Sequence, residues 1–298
     1  MSTKSLLNRV ETSAVPANLH APLHYFAPDS GPAHIRIYPP SSGLANVRPV
    51  STPHVVPVHN MRDTGEEFHL DTCGFALHTR ATTFTDFFDE DAVRKHYYPE
   101  VETTLRSLTG AVAVIAFDHN VRSTTRAARG EAGVRVPAEQ VHNDYTARSG
   151  PVRRMEILKD AARLDLADRH FAFVNLWRPI IGPVGDNPLA VCDARSVQPA
   201  DLVVTEIRHF GEDDLNTPRH VGEIYSVTHR ASHQWFYVSA MQPREFLLLK
   251  CFDSHTDGRA RFMPHTGFQN PDCPSDFVPR ESIEARTLVV FDEEIQLD

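Results

Sequence analysis

Residues 139–148 read EQVHNDYTAR, and the fold turns on what the His and the Asp within them do. On an extended strand, side chains two residues apart project from the same face. If the segment is extended, His142 and Asp144 point together into a barrel. That pair lacks one imidazole of the 2-His-1-carboxylate set, which holds Fe(II) on one face and leaves coordination positions open. Taken alone, HND is more often a turn or a cap. It gains meaning only if a second His and a suitable Arg stand downstream.

Four later histidines compete for the open place: His220, His229, His233 and His265. His265 heads the next-to-last strand, in "FMPHTGF", and the final strand follows as "RESIEAR". On that strand Arg280, Ser282, Glu284 and Arg286 share one face by period-two alternation. An Arg at its inner end can grip a dicarboxylate with a bidentate fork, and Ser282 can add a hydroxyl. Arg286 falls nearer the metal, suited to an acid of the substrate or cosubstrate. His233 is second choice, on the aromatic stretch "THRASHQWFY" with His229. The residues alone leave the ligand open between His265 and His233.

Outward from the motif, residues 21–80 alternate short extended pieces with Pro and Gly, as in "PLHYFAP", "HIRIYPP" and "HVVPVHN". Residues 83–109 read as helical, with Pro99 breaking the run or opening a second helix. Residues 111–122 read as a buried strand, followed by an exposed loop through "STTRAARGEAGVRVPAEQ". In the helix after the motif, Val152, Met155, Leu158, Ala162 and Leu166 recur at helical spacing. Seven strand-like stretches follow from 171, separated by turn residues. A helical layer followed by many strands predicts a mainly β barrel or jelly roll with helical support. Residues 1–20 are expected to form a flexible arm and 21–298 one domain.

The chain has 298 residues, of which 41% are hydrophobic, enough for a sizeable core. A formal charge of −9 and the absence of a basic run exclude a nucleic-acid partner from the reading. No apolar leader or membrane-length stretch is present, so the cytoplasm is expected and a membrane is not. Cys73, Cys192, Cys251 and Cys273 lie far apart with no C-x-x-C pair, which suggests neither a zinc ribbon nor a disulfide framework. Lys250, inside the apolar run "EFLLLKCF", needs a carboxylate partner or solvent.

Five blocks, "VHNDYT", "NLWRPIIGPVGDNPLAVCDARSV", "HQWFYVSAMQPREFLLLKCFDS", "PHTGF" and "RESIEAR", occur in this order. Together they resemble the hydroxylase/desaturase family of fungal and bacterial secondary metabolism, over residues 20 to 291. The resemblance implies a double-stranded β-helix (a cupin-like jelly roll), with Fe(II), 2-oxoglutarate and O2 as cofactors. Carried over residue by residue, it implies His142, Asp144 and His265 as metal ligands and Arg280, Ser282 and Arg286 as the cosubstrate site. The implied activity is hydroxylation or desaturation of a small secondary metabolite, with decarboxylation of 2-oxoglutarate to succinate and CO2. A homodimer or a partner pathway enzyme fits the same reading.

Phe171, Phe173, Trp177, Trp235 and Phe236 are candidates for the pocket wall. Asn175, Arg178 and His233 are candidates to orient a polar substrate, and Tyr145 to pack against the site. Two other classes stay open. A zinc-dependent hydrolase or isomerase would use the same His/Asp/His set, and a non-catalytic barrel would merely bind a small molecule.

Overall fold

The computed structural model describes residues 18–294 except 32 and 275. The arm expected over 1–20 therefore lies outside the described residues up to 17, and residues 18–20 open the first strand. Two sheets dominate the described residues. One has nine strands in the order β1 (Asn18–Phe26), β3 (Ser51–Asn60), β12 (Trp235–Tyr237), β9 (Leu189–Cys192), β14 (His265–Gly267), β7 (His142–Asn143), β11 (Pro218–Val227), β10 (Leu202–Phe210) and β2 (His34–Ile37). The other has six, in the order β4 (Phe75–Thr79), β13 (Glu245–Asp253), β8 (Arg169–Pro179), β15 (Glu281–Glu294), β5 (Ala113–Ser123) and β6 (Val134–Arg135).

Strand alternation sorts the apolar residues into layers. On β8, Phe171, Phe173 and Trp177 enter a core shared with Leu189, Val191 and Phe236 of the nine-stranded sheet. The intervening Ala172, Val174 and Leu176 enter a second core behind the six-stranded sheet. Strand β13 splits in the same way, with Leu247, Leu249 and Cys251 inside and Phe246 and Leu248 outside. Both faces of β8 and β13 are thus covered, which is why they read as unbroken apolar runs. On the inner face of β15, Leu288 and Val290 continue the shared core, while Ser282, Glu284 and Arg286 stand earlier on the same face. The space between the sheets is therefore apolar at one end and polar at the other.

The helices are short: α1 (Glu90–Ala92), α2 (Tyr98–Thr109), α3 (Thr124–Ala128) and α4 (Ser149–Asp160). The helical stretch expected from 83 begins only at Glu90, where the Asp89 side chain accepts from the Ala92 amide at 2.9 Å. Phe84 and Phe87 instead pack on Tyr97 ahead of α2. Pro99 lies in the first turn of α2, where its missing N–H costs nothing. Helix α2 then buries Val101 and Leu105 against the outer face of the six-stranded sheet.

Two other expectations change. The loop expected after residue 122 contains α3 and β6. In α4, Val152 and Met155 are exposed, and Gly150, Ile157 and Leu158 make the buried side. The reason is close approach: a Cβ on Gly150 would stand 2.6 Å from the Phe252 ring, so the helix docks through its first turn. Lys250 finds its partner in Asp253, with Nζ 2.7 Å from the carboxylate, and also bonds Asp71.

Candidate metal centre

Strand β7 lies between β11 and β14, and its register sets His142 directly opposite His265. The two ring centroids are 4.5 Å apart. Asp144 follows β7 immediately and turns back, so that its Oδ1 lies 3.6 Å from His142 Nε2. One ligand atom from each of the three residues lies within 4.8 Å of the other two. That spacing suits one metal ion held by two imidazoles and a carboxylate.

The backbone sets both tautomers. His142 Nδ1 is 2.7 Å from the Gln140 carbonyl, and His265 Nδ1 is 3.3 Å from the Met263 carbonyl. A carbonyl only accepts, so each Nδ1 carries the proton and each Nε2 keeps a bare lone pair, the form a metal needs. Burial, with His265 beside it, pushes the His142 imidazole down to about 3. It is uncharged at neutral pH.

Asp144 is fixed from behind. Asn175 Nδ2 donates to its Oδ2 at 2.8 Å, and Arg286 Nε stands 3.3 Å from the same oxygen. Burial opposes ionisation, but Arg286, the two imidazoles and the Asn175 amide outweigh it and hold the carboxyl well below the usual carboxylate range. The same two residues engage a second acid, Glu284, with Asn175 Nδ2 3.0 Å and Arg286 Nε 3.5 Å from Oε1. Arg286 also reaches Asp118 at 3.1 Å. Arg286 and Asn175 lie near the centre as expected; the Arg286 guanidinium and the Asn175 amide nitrogen face Asp144 and Glu284, while Asn175 Oδ1 is buried without a hydrogen-bond partner.

At the entry to β15, ahead of Arg286, stands a different pair. Arg280 is 3% exposed, donates from Nη1 to the Asn187 carbonyl, and lies 5.5 Å above the Trp177 ring. Its Nε and the Ser282 hydroxyl are buried without a hydrogen-bond partner, and it has no carboxylate ion pair among the described residues. Burial, followed by the nearby Arg122, pushes Arg280 down to about 9. A buried cation without a counter-ion is costly, so this corner fits a guest carboxylate. Arg122 closes the stretch 111–122 that reads simply as a buried strand. It stands opposite Ser282 on β5, and only long-range strand pairing reveals that.

The remaining candidates divide. Tyr145 stacks on Phe173 with centroids 4.1 Å apart, and both join Trp177 in the core between the sheets. Arg178 pairs in register with Ile283 and points the other way, over Tyr97 and Phe246, with Nη2 donating to the Arg80 carbonyl at 3.1 Å. It is not brought to the site. His233 has both ring nitrogens engaged, 3.1 Å from Asp201 and 3.2 Å from the Tyr25 hydroxyl, so it has no lone pair to offer. Trp235 donates to Tyr25 at 2.6 Å and packs in a third core with Leu19, Val58 and Cys192; its neighbour Phe236 is the one that faces the inner core.

With this geometry described, the likeness to known proteins can be stated. The family profile described as an oxidoreductase/YMDC permease-like domain matches residues 23–290. The chain is 32% identical to the hydroxylase/desaturase efuI of Hormonema carpetanum, over 95% of its own length and 99% of that protein's. The chain belongs to the hydroxylase/desaturase family. A second member, the Fe(II)/2-oxoglutarate-dependent dioxygenase nvfI of Aspergillus novofumigatus, is 31% identical over 89% of this chain and 94% of that one. A solved structure of the iron and alpha-ketoglutarate-dependent endoperoxidase NvfI superposes with a TM-score of 0.78 at 26% identity, covering 92% of this chain and 98% of that chain. The chain is mainly β with few helices and matches NvfI structurally, and no described helix is long and apolar enough to cross a membrane.

Proposed function

We propose that this member of the family is an Fe(II)/2-oxoglutarate-dependent oxygenase that hydroxylates or desaturates a small secondary metabolite. The observation that carries it is one strand face serving two tasks. Next to the His142, Asp144 and His265 cluster, Arg280 and Ser282 present buried, unpartnered donors. A zinc hydrolase needs the first group and has no use for the second. The two facing sheets support a double-stranded β-helix, and their shared core supports one domain over 21–298.

His142 and His265 would hold iron through Nε2, and Asp144 through a carboxylate oxygen. When bound with 2-oxoglutarate and O2, the metal supplies an oxidant for a substrate C–H bond, and 2-oxoglutarate leaves as succinate and CO2. The Gln140 and Met263 carbonyls lock the imidazoles in the ligating tautomer. Asn175 and Arg286 fix the Asp144 oxygens, so little reorganisation remains when the ion arrives. Arg280 and Ser282 would hold the carboxylate of 2-oxoglutarate remote from the metal, with Arg122 adding positive charge behind Ser282. Tyr145, Phe173 and Trp177 exclude water from the space between the sheets.

Incubation with Fe(II), ascorbate and 2-oxoglutarate, followed by succinate determination, tests the reading. Succinate should form in an iron-dependent manner and rise with a fitting small substrate. No succinate from folded, iron-loaded protein across a broad panel of such substrates would overturn it.

A further inference from the structure

A second group of metal-ligating side chains lies at the far end of β8 and β15. His170 is the second residue of β8, His255 follows β13, and Glu293 is the last but one of β15; one ligand atom of each lies within 4.8 Å of the others. Seven residues of strand separate Glu293 from Arg286, on the order of 20 Å, so this group is independent of the first centre.

We infer that His170, His255 and Glu293 form a structural zinc site. Both histidines are buried, at 2% and 4% exposure, and His170 Nδ1, the nitrogen nearest Glu293, has no hydrogen-bond partner; on His255 the nitrogen nearest Glu293 is Nδ1, while the unpartnered one is Nε2. Asp253 accepts from His170 Nε2 at 2.8 Å, which leaves Nδ1 as the nitrogen that can turn to a metal. A carboxylate behind a histidine in this way is the usual support of a zinc-bound imidazole. Asp253 also takes the His255 amide at 2.9 Å and Lys250 Nζ at 2.7 Å, so its position is fixed by three donors.

Glu293 Oε2 stands 3.7 Å from His170 Nδ1 and 4.0 Å from His255 Nδ1, beyond hydrogen-bond range. Zinc bonds of about 2.0–2.1 Å put tetrahedral ligands about 3.4 Å apart, so the carboxylate has only a few tenths of an ångström to close. The rings stack 3.7 Å apart at 15°, which confines their lone pairs to nearly parallel planes. Taking up the ion requires one ring to tilt while Glu293, 68% exposed in its side chain, moves in. Two imidazoles and a carboxylate, with a fourth place for water, make a donor set that zinc accepts. The ion would staple the start of β8 and the turn after β13 to the end of β15.

Zinc analysis after equilibrium dialysis of the full chain tests this. Wild type should hold two zinc ions, and Glu293→Gln, a change at an exposed position, one. With the first centre disabled by Asp144→Ala and His265→Ala together, one zinc should remain and raise Tm. Adding His255→Gln should weaken that zinc at least tenfold and abolish the rise. No zinc in the protein carrying Asp144→Ala and His265→Ala, or the same affinity with and without His255→Gln or Glu293→Gln, would overturn the site.

Discussion

His142 and His265 face each other across adjacent strands, and the Nδ1 of each ring is turned to the backbone carbonyl two residues before it. Ring orientation is thus written into the backbone at both positions. Substitutions that keep a side chain's size but remove its lone pair should therefore act on the metal rather than on the fold. His265→Gln should lower Fe(II) affinity at least tenfold while the far-ultraviolet circular dichroism stays that of wild type. Unchanged iron affinity would count against the ligand set.

Asp144 carries the negative charge of the centre and satisfies Asn175 and Arg286. Asp144→Ala should abolish iron-dependent 2-oxoglutarate consumption. It should also destabilise the apo-protein by about 1–3 kcal/mol, since it strips a buried amide and cation of a partner. Urea unfolding and an oxygen electrode measure the two effects. Full turnover in the variant would remove Asp144 from the account.

Arg280 has a different signature. With its Nε and the Ser282 hydroxyl unpartnered, Arg280→Gln should raise KM for 2-oxoglutarate by about 10–100-fold, the worth of a charge-assisted hydrogen bond. Iron affinity should not change. If iron binding fell and KM held, the guest carboxylate would have to sit elsewhere.

The acid limb of stability follows from Asp201. Burial would raise this carboxyl, but Arg230, the Gln198 amide and His233 outweigh it and hold it below its ordinary value. Stabilisation of this sign is complete above the unfolded pKa, about 3.9, and drains away as pH falls through the folded one. Burial also lowers His233, so its contribution begins to drain below about 6.5. The urea midpoint should fall steadily from pH 7.5 to pH 3, and Arg230→Gln should flatten the lowest part. A midpoint that held or rose on acidification would contradict this.

At Gly150 the prediction concerns packing alone. Any Cβ there meets the Phe252 ring at 2.6 Å, so Gly150→Ala should cost about 1–3 kcal/mol through overpacking, despite alanine's better helix propensity. A stabilised variant in urea unfolding would mean that α4 can shift freely.

Much of the candidate centre's geometry was legible from spacing. Two-residue alternation put Arg280, Ser282, Glu284 and Arg286 on one face, and the position of His265 ahead of that strand set it above His233. The misses have physical causes. Arg178 directly follows Trp177 on a strand, so the two cannot both face the site, and the same parity separates Trp235 from Phe236. Arg122 matters because β5 pairs with β15, a contact more than 150 residues apart in sequence that no local pattern encodes. The carbonyls of Gln140 and Met263 leave no trace in residue type, because any residue there offers the same oxygen. In α4 the apolar spacing misled because Gly150, not a large side chain, sets the docking point.

The central claim is that His142, Asp144 and His265 hold Fe(II) beside a bound 2-oxoglutarate. An anaerobic titration of the apo-protein with Fe(II) and then 2-oxoglutarate reads this directly, through the weak visible charge-transfer band of the chelated centre. The band should form in wild type and in His233→Ala and be absent from His265→Ala. A band that survives in His265→Ala and disappears in His233→Ala would contradict the account.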